Sequence, residues 1–202
     1  MRWDRLFDDL ESQLDREHEE EERALAFEEE RLRLSRLTLR DRITAMAADG
    51  RGDATGAPSA IRLELAGGER LAVRPDGFGR DWLSGDLVDA ARSGAQALVP
   101  LDAIVAVLPM REQLARSLAG PAAPAGRLVE RIGIAFILRD LSRRRIAVSV
   151  STHDGRFHGT IDRVARDHLD LALHEPGSSR RERDLQGYRI IPIARLVSVV
   201  FD

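Results

Sequence analysis

The chain has 202 residues, 43% of them apolar and 32% charged, with formal net charge −3. That length suffices for one or two compact domains. With no Cys there is no disulfide, thiolate metal site or cysteine nucleophile, and a net acidic balance argues against bulk nucleic-acid binding, which needs a clearly basic domain.

The charge is unevenly spread. Residues 1–30 carry 13 acids against 4 Arg, residues 31–48 reverse the sign with 5 Arg against 1 Asp, and the remainder is close to neutral. All 31 basic residues are Arg, which reads as coding bias before phosphate chemistry. Met1-Arg2-Trp3-Asp4 leads into charge rather than the apolar core of a signal peptide, and no apolar run approaches the ~18 residues of a membrane span. A prokaryotic cytoplasm is the expected setting.

Residues 1–48 predict a helical, coiled-coil-like arm of one or two helices. Trp3, Phe7, Leu10 and Leu14 recur at spacings of four and three, an apolar stripe on one helix face. Leu25, Leu32, Leu39 and Met46 follow at intervals of seven, with Ile43 alongside. Glu19 with Arg23 and Glu29 with Arg33 stand in the favourable acid-before-base order. Trp3, Phe7, Leu10, Leu14, Leu25, Leu32 and Leu39 are therefore the expected residues of self-association or partner docking, because so long a helix cannot bury its stripe on small domains alone.

Residues 49–59, with Gly50, Gly52, Gly56 and Pro58, read as a linker. Residues 60–109 then alternate: Ile61, Leu63 and Leu65, followed by Leu71 and Val73. For one face to be shared, Leu65 must oppose Leu71 and Leu63 oppose Val73 across an odd loop, Gly67-Gly68-Glu69. Val99-Pro100-Leu101-Asp102-Ala103-Ile104-Val105-Ala106-Val107-Leu108 aligns without gaps on Ile191-Pro192-Ile193-Ala194-Arg195-Leu196-Val197-Ser198-Val199-Val200. An internal duplication is the reading. Residues 110–145 predict connecting helices: Met110, Leu114 and Leu118 share one face, and Leu128, Ile132, Ala135, Phe136, Leu138 and Leu141 form a second, largely apolar helix.

Residues 146–202 alternate again. Val148, Val150 and Thr152 precede Asp154-Gly155, whose type I′ turn would set Val150 opposite Gly159, Val148 opposite Ile161 and Thr152 opposite Phe157. Ser151, His153, Arg156, His158 and Thr160 then line the opposite, wet face. Leu169, Leu171 and Leu173 mark a further inward strand. A polar loop, His174 to Gly187, leads to Tyr188–Ile193 and Leu196–Phe201. Gly155-Arg156-Phe157-His158-Gly159-Thr160-Ile161 with Asp167-His168-Leu169-Asp170-Leu171-Ala172-Leu173 resembles the first signature of the Sm-like family. That resemblance implies a bent five-stranded SH3-type barrel led by a helix. The expected fold is thus α+β, a long N-terminal amphipathic helix followed by two SH3/Sm-like antiparallel barrels joined by helices.

The chemistry-bearing residues are few. His153, His158, His168 and His174 fall in the second barrel without metal-ligand spacing, so no metal or cofactor is expected. Ser149, Ser151 and Thr152 lie on a strand with no elbow turn, so no catalytic residue is assigned. Arg143, Arg144 and Arg145, Arg156, and Arg180, Arg181 and Arg183, with Tyr188 for stacking, are the candidate RNA or phosphate contacts. Asp170 stands where Sm-like RNA binders place Asn, and Ile191-Pro192-Ile193-Ala194 where they show an Arg-Gly pair. The expected function is a non-enzymatic oligomerising adaptor or regulator, self-associating through the arm and contacting another protein. An Sm-like RNA-binding regulator is the alternative.

Overall fold

The structure, a computed structural model, describes residues 2–47, 59–88, 94–120, 131–177 and 185–202. The linker Gly residues, Leu128 and the Arg180, Arg181, Arg183 group lie outside the described residues. Two compact units divide the chain, Met1–Leu39 and Arg40–Asp202.

Unit one is built on α1 (Arg2–Ser35), 34 residues and so about 51 Å of helix at ~1.5 Å per residue. Neither Gly nor Pro ends it. Its last turn tightens instead, with Arg36 and Leu37 amides each reaching back three residues, and the Ser35 hydroxyl donates to the Leu32 carbonyl. A new start follows at Thr38, a hydroxyl residue immediately before α2 (Leu39–Ala47), which has Asp41 in its first turn. The heptad run of Leu25, Leu32, Leu39 and Met46 therefore spans two helices rather than one seam. Ile43, Met46 and Ala47 are core residues of the second unit.

Among the described residues, ten antiparallel strands follow: β1 (Ile61–Leu65), β2 (Arg70–Phe78), β3 (Trp82–Leu87), β4 (Gln96–Pro100), β5 (Ile104–Val107), β6 (Ala147–Thr152), β7 (Gly155–Val164), β8 (His168–Leu173), β9 (Gly187–Pro192) and β10 (Leu196–Phe201). Between β5 and β6 lie α3 (Arg111–Ser117) and α4 (Ile134–Arg144). The expected pair of closed barrels does not form. All ten strands belong to one open sheet in the order β5-β1-β2-β3-β4-β10-β6-β7-β8-β9, ending at β5 and β9. What merges the halves is pairing of β4 with β10: Leu98 opposes Val199, Ala97 opposes Val200 and Gln96 opposes Phe201. Each strand is the other's hydrogen-bonding partner at what would have been a bare edge.

Side chains cross the same seam. Leu98, from the first half, packs with Val148, Val150, Ile161, Leu169 and Leu171 of the second, whereas Val197 and Val200 pack with Ile61, Leu63 and Val73 of the first. Glu69 adds a polar clasp, accepting from the Ser198 hydroxyl at 2.9 Å and from the Arg156 guanidinium.

The two halves nevertheless repeat each other. In each, the last strand returns to pair with the first, β5 on β1 and β10 on β6. A 3-10 turn enters that strand, Leu101–Ala103 or Ile193–Arg195, after a proline in matching conformation: Pro100 at φ −61°, ψ 136° and Pro192 at φ −61°, ψ 133°. Both turns are tied to an Asp carbonyl upstream, Leu101 to Asp81 at 2.9 Å and Ile193 to Asp167 at 2.7 Å. Each Pro closes its strand instead of opening one, so its missing N–H falls where the ladder stops.

Both hairpins sit two positions away from the expected register. Val150 faces Phe157, Val148 faces Gly159 and Thr152 faces Gly155, with His153-Asp154 as the turn. A type I′ turn needs positive φ at Asp154, and among the described residues Arg145 is the only non-glycine residue with positive φ. Leu63 faces Leu71 and Ile61 faces Val73, so the odd loop is Ala66-Gly67-Gly68, with Gly67 at φ 78° and Gly68 at φ 81°. A slip of two leaves every side chain on its expected face, because the pleat repeats every two residues.

Helices close the layers. Ile134, Leu138 and Leu141 of α4 pack into the second core. Among the described residues this helix begins at Ile134, after Ile132, and the Asp81 carboxylate accepts from the Ile134 amide at 2.8 Å and caps its N-terminus. On α3, Gln113 is buried and doubly bonded, donating to the Ala60 carbonyl and accepting from the Met110 amide, both at 2.9 Å.

Candidate interaction surfaces

Trp3, Phe7, Leu10 and Leu14 fall within the backbone span of α1, and their side chains lie outside the described residues. Further along, Leu25, Phe27 and Leu32 project into solvent, Phe27 being 81% exposed. Solvated ion pairs surround them: Arg23 with Glu19 at 2.6 Å, and Arg33 with Glu30 at 2.7 Å. Hydrogen bonding to Arg33 holds the Glu30 carboxyl below the usual glutamate range. Such exposed pairs contribute little to stability. Leu25 and Leu32, left in water on one helix face beside them, are the more informative feature.

Of the four described guanidiniums named for phosphate contact, three are ion-paired. Arg143 and Arg144 both pair with Asp140, Arg144 at 2.8 Å. Arg145 ends α4 in the left-handed region at φ 55° and is exposed. Arg156 is held by Glu69 and by the Ser151 hydroxyl at 3.2 Å. Tyr188 is exposed on β9, while the neighbouring Arg189 guanidinium stacks 4.0 Å above the Phe157 ring. Arg143 and Arg156 thus sit in separate ion-paired settings, and each carboxylate reduces the charge available to a phosphate.

The hairpin's second face is not the wet surface the alternation suggested: Ser151 and Thr160 are buried on it. Ser149 Oγ lies 3.1 Å from His158 Nδ1, and the His158 ring meets His174 edge-on at 5.3 Å between centroids. His174, itself buried, places Nε2 2.9 Å from Thr160 Oγ1 and Nδ1 3.1 Å from the Glu175 carbonyl. Burial, reinforced by His174, pushes the His158 pKa down, with Asp202 and Glu175 pulling the other way. A cavity of about 750 Å³ opens here, lined by Ser149, His158 and Asp202 among others. His158 Nε2 is buried without a hydrogen-bond partner among the described residues, so no carboxylate orients the ring as a serine relay requires. No group of three or more His, Asp or Glu converges on a metal position among the described residues. His158 was legible as an outward strand residue; its contact with His174 depends on β8 lying beside β7.

The two ends of the sheet are the remaining candidates. On β9, Tyr188 and Ile190 are exposed, and on β5, Val105 is exposed. No protein family, curated protein or solved structure matches the chain. No helix among the described residues is long and apolar enough to cross a membrane.

Proposed function

We propose that this protein is a non-enzymatic, oligomerising adaptor or regulator of the cytoplasm, working through protein–protein contact. The observation that carries the reading is that Leu25 and Leu32, seven residues apart on one face of a 34-residue helix, stand exposed among charged side chains, with Phe27 exposed on the opposite side. An isolated helix gains most of its stability from packing an amphipathic face, and this face needs a second surface to pack on. A pair of repeated β modules follows the arm in the chain and offers further surface for a partner. The oligonucleotide alternative draws less support, because Arg143, Arg144 and Arg156 are already ion-paired.

Replacing Leu25, Phe27 and Leu32 together by Glu keeps helix propensity high and removes the exposed apolar residues from both sides of the helix. In sedimentation equilibrium on the full chain, the variant should lose at least half the wild-type assembly mass, with circular dichroism unchanged. An unaltered mass across the concentration range would refute the arm as the associating element.

A further inference from the structure

The repeat aligns positions 99–108 with 191–200, so β4 corresponds to β9 and β5 to β10. The seam inside the chain joins β4 to β10. The strands left at the two ends of the sheet, β9 and β5, are the repeat counterparts of that same pair. One end offers a β4-type edge and the other a β10-type edge.

Residue burial follows the correspondence. Leu98 is 0% exposed at the seam, and its counterpart Ile190 is 72% exposed on β9. Val197 and Val200 are 1% and 9% exposed at the seam, whereas their counterparts Val105 and Leu108 are 68% and 37% exposed at the β5 end. Apolar character is thus kept at the outer positions while the cover is missing, which is costly for a residue meant to face water and is a hazard on an unpaired edge. Beyond β5 the chain continues into α3, whose Leu114 is exposed too.

We propose that the chain associates head to tail with a second copy of itself, β9 of one pairing antiparallel with β5 of the next. In the register of the internal seam, Val107 stands opposite Ile190 and Leu108 opposite Arg189, and Ile190 enters the neighbouring copy as Leu98 enters the second half. Pro109 occupies the place of Phe201 and cannot donate to the ladder, so the contact stops at Leu108 and is shorter than the seam it copies. Such an interface is heterologous, and it generates a ring if the rotation closes and a filament if it does not. It uses a surface other than α1 and does not depend on the arm.

The test uses full-length chains carrying the three arm substitutions, so that arm-driven association cannot mask the result. With both edges intact, native mass spectrometry should find species at multiples of 22.5 kDa. Val105→Glu spoils only the β5 edge and Ile190→Glu only the β9 edge, and since both side chains are exposed in the single chain, the circular dichroism spectrum should be unchanged. Each variant alone should be a single chain. Mixed, they retain one good edge of each kind and should form 1:1 pairs that grow no further. Single chains with both edges intact, failure of the mixture to pair, or loss of assembly on Ile190→Glu but not on Val105→Glu would each overturn the proposal, the last pointing to β9 pairing with itself.

Discussion

Leu98→Ala tests whether the two halves share one sheet. Leu98 lies on β4 with no exposed surface and is seated among Val148, Val150, Leu169 and Leu171 of the other half. Truncation removes three side-chain carbons, worth ~0.8 kcal/mol each in transfer, or about 2.4 kcal/mol. The cavity left in a packed core adds to this, giving about 2.5–5 kcal/mol in all. At roughly 2–4 °C per kcal/mol for a chain of this size, the melting temperature should fall by about 5 °C or more. Equilibrium urea unfolding at fixed protein concentration reads the cost directly. Were β4 a free edge on an independent barrel, the same truncation would touch solvent and cost within ~0.5 kcal/mol. A measured loss below about 1 kcal/mol would refute the merged seam.

Acid should destabilise the fold through His158. Its folded-state pKa lies below the unfolded value, so the unfolded chain binds the extra proton; stability is highest above the ordinary histidine range and falls as pH drops through it toward the folded pKa. Urea midpoints between pH 7.5 and 5 should therefore fall less in His158→Gln than in wild type, and an imidazole titration by NMR at or above pH 6.5 for His158 would contradict this. Gly159→Ala should cost about 1–3 kcal/mol or more, since its Cβ would stand 2.1 Å from the Ala172 carbonyl oxygen and force β7 from β8. Gly94→Ala meets no atom within 4 Å and should cost only the backbone strain of φ +94°, about 1 kcal/mol, so equal losses in the two variants would defeat the steric account.

Alternation made most strands readable. Ile61-Arg62-Leu63-Glu64-Leu65 and His168-Leu169-Asp170-Leu171 name their inward faces, and the register slip of two between β1 and β2 did not disturb the first of them. The exact pairing was hidden because turn geometry sets it: Asp154-Gly155 carries a strong hairpin signal, but the loop forms one residue earlier, at His153-Asp154. The Pro-centred repeat was legible because a 3-10 turn after an extended proline constrains several consecutive residues in each copy. The break between α1 and α2 was not, for want of Gly or Pro; only Thr38 with Asp41 hinted at a new helix start. Of the candidate surfaces, Leu25 and Leu32 were visible as periodic apolar residues on a charged helix. Ile190 and Val105 were not, since nothing local distinguishes an outer apolar strand from a covered one.

Local composition and periodicity determined the helical arm, the inward faces of the strands and the repetition of a helix-led five-strand module, all of which arise from contacts between near neighbours in the chain. Whether those modules would close separately or fuse was decided by β4 meeting β10, about a hundred residues apart. The apolar runs Ala97-Leu98-Val99 and Leu196–Phe201 carry the trace of that decision, for a strand covered on both faces loses its alternation. Only the folded chain shows which partner covers them, because backbone edges are chemically alike and the choice rests on how the side chains of two distant strands interlock.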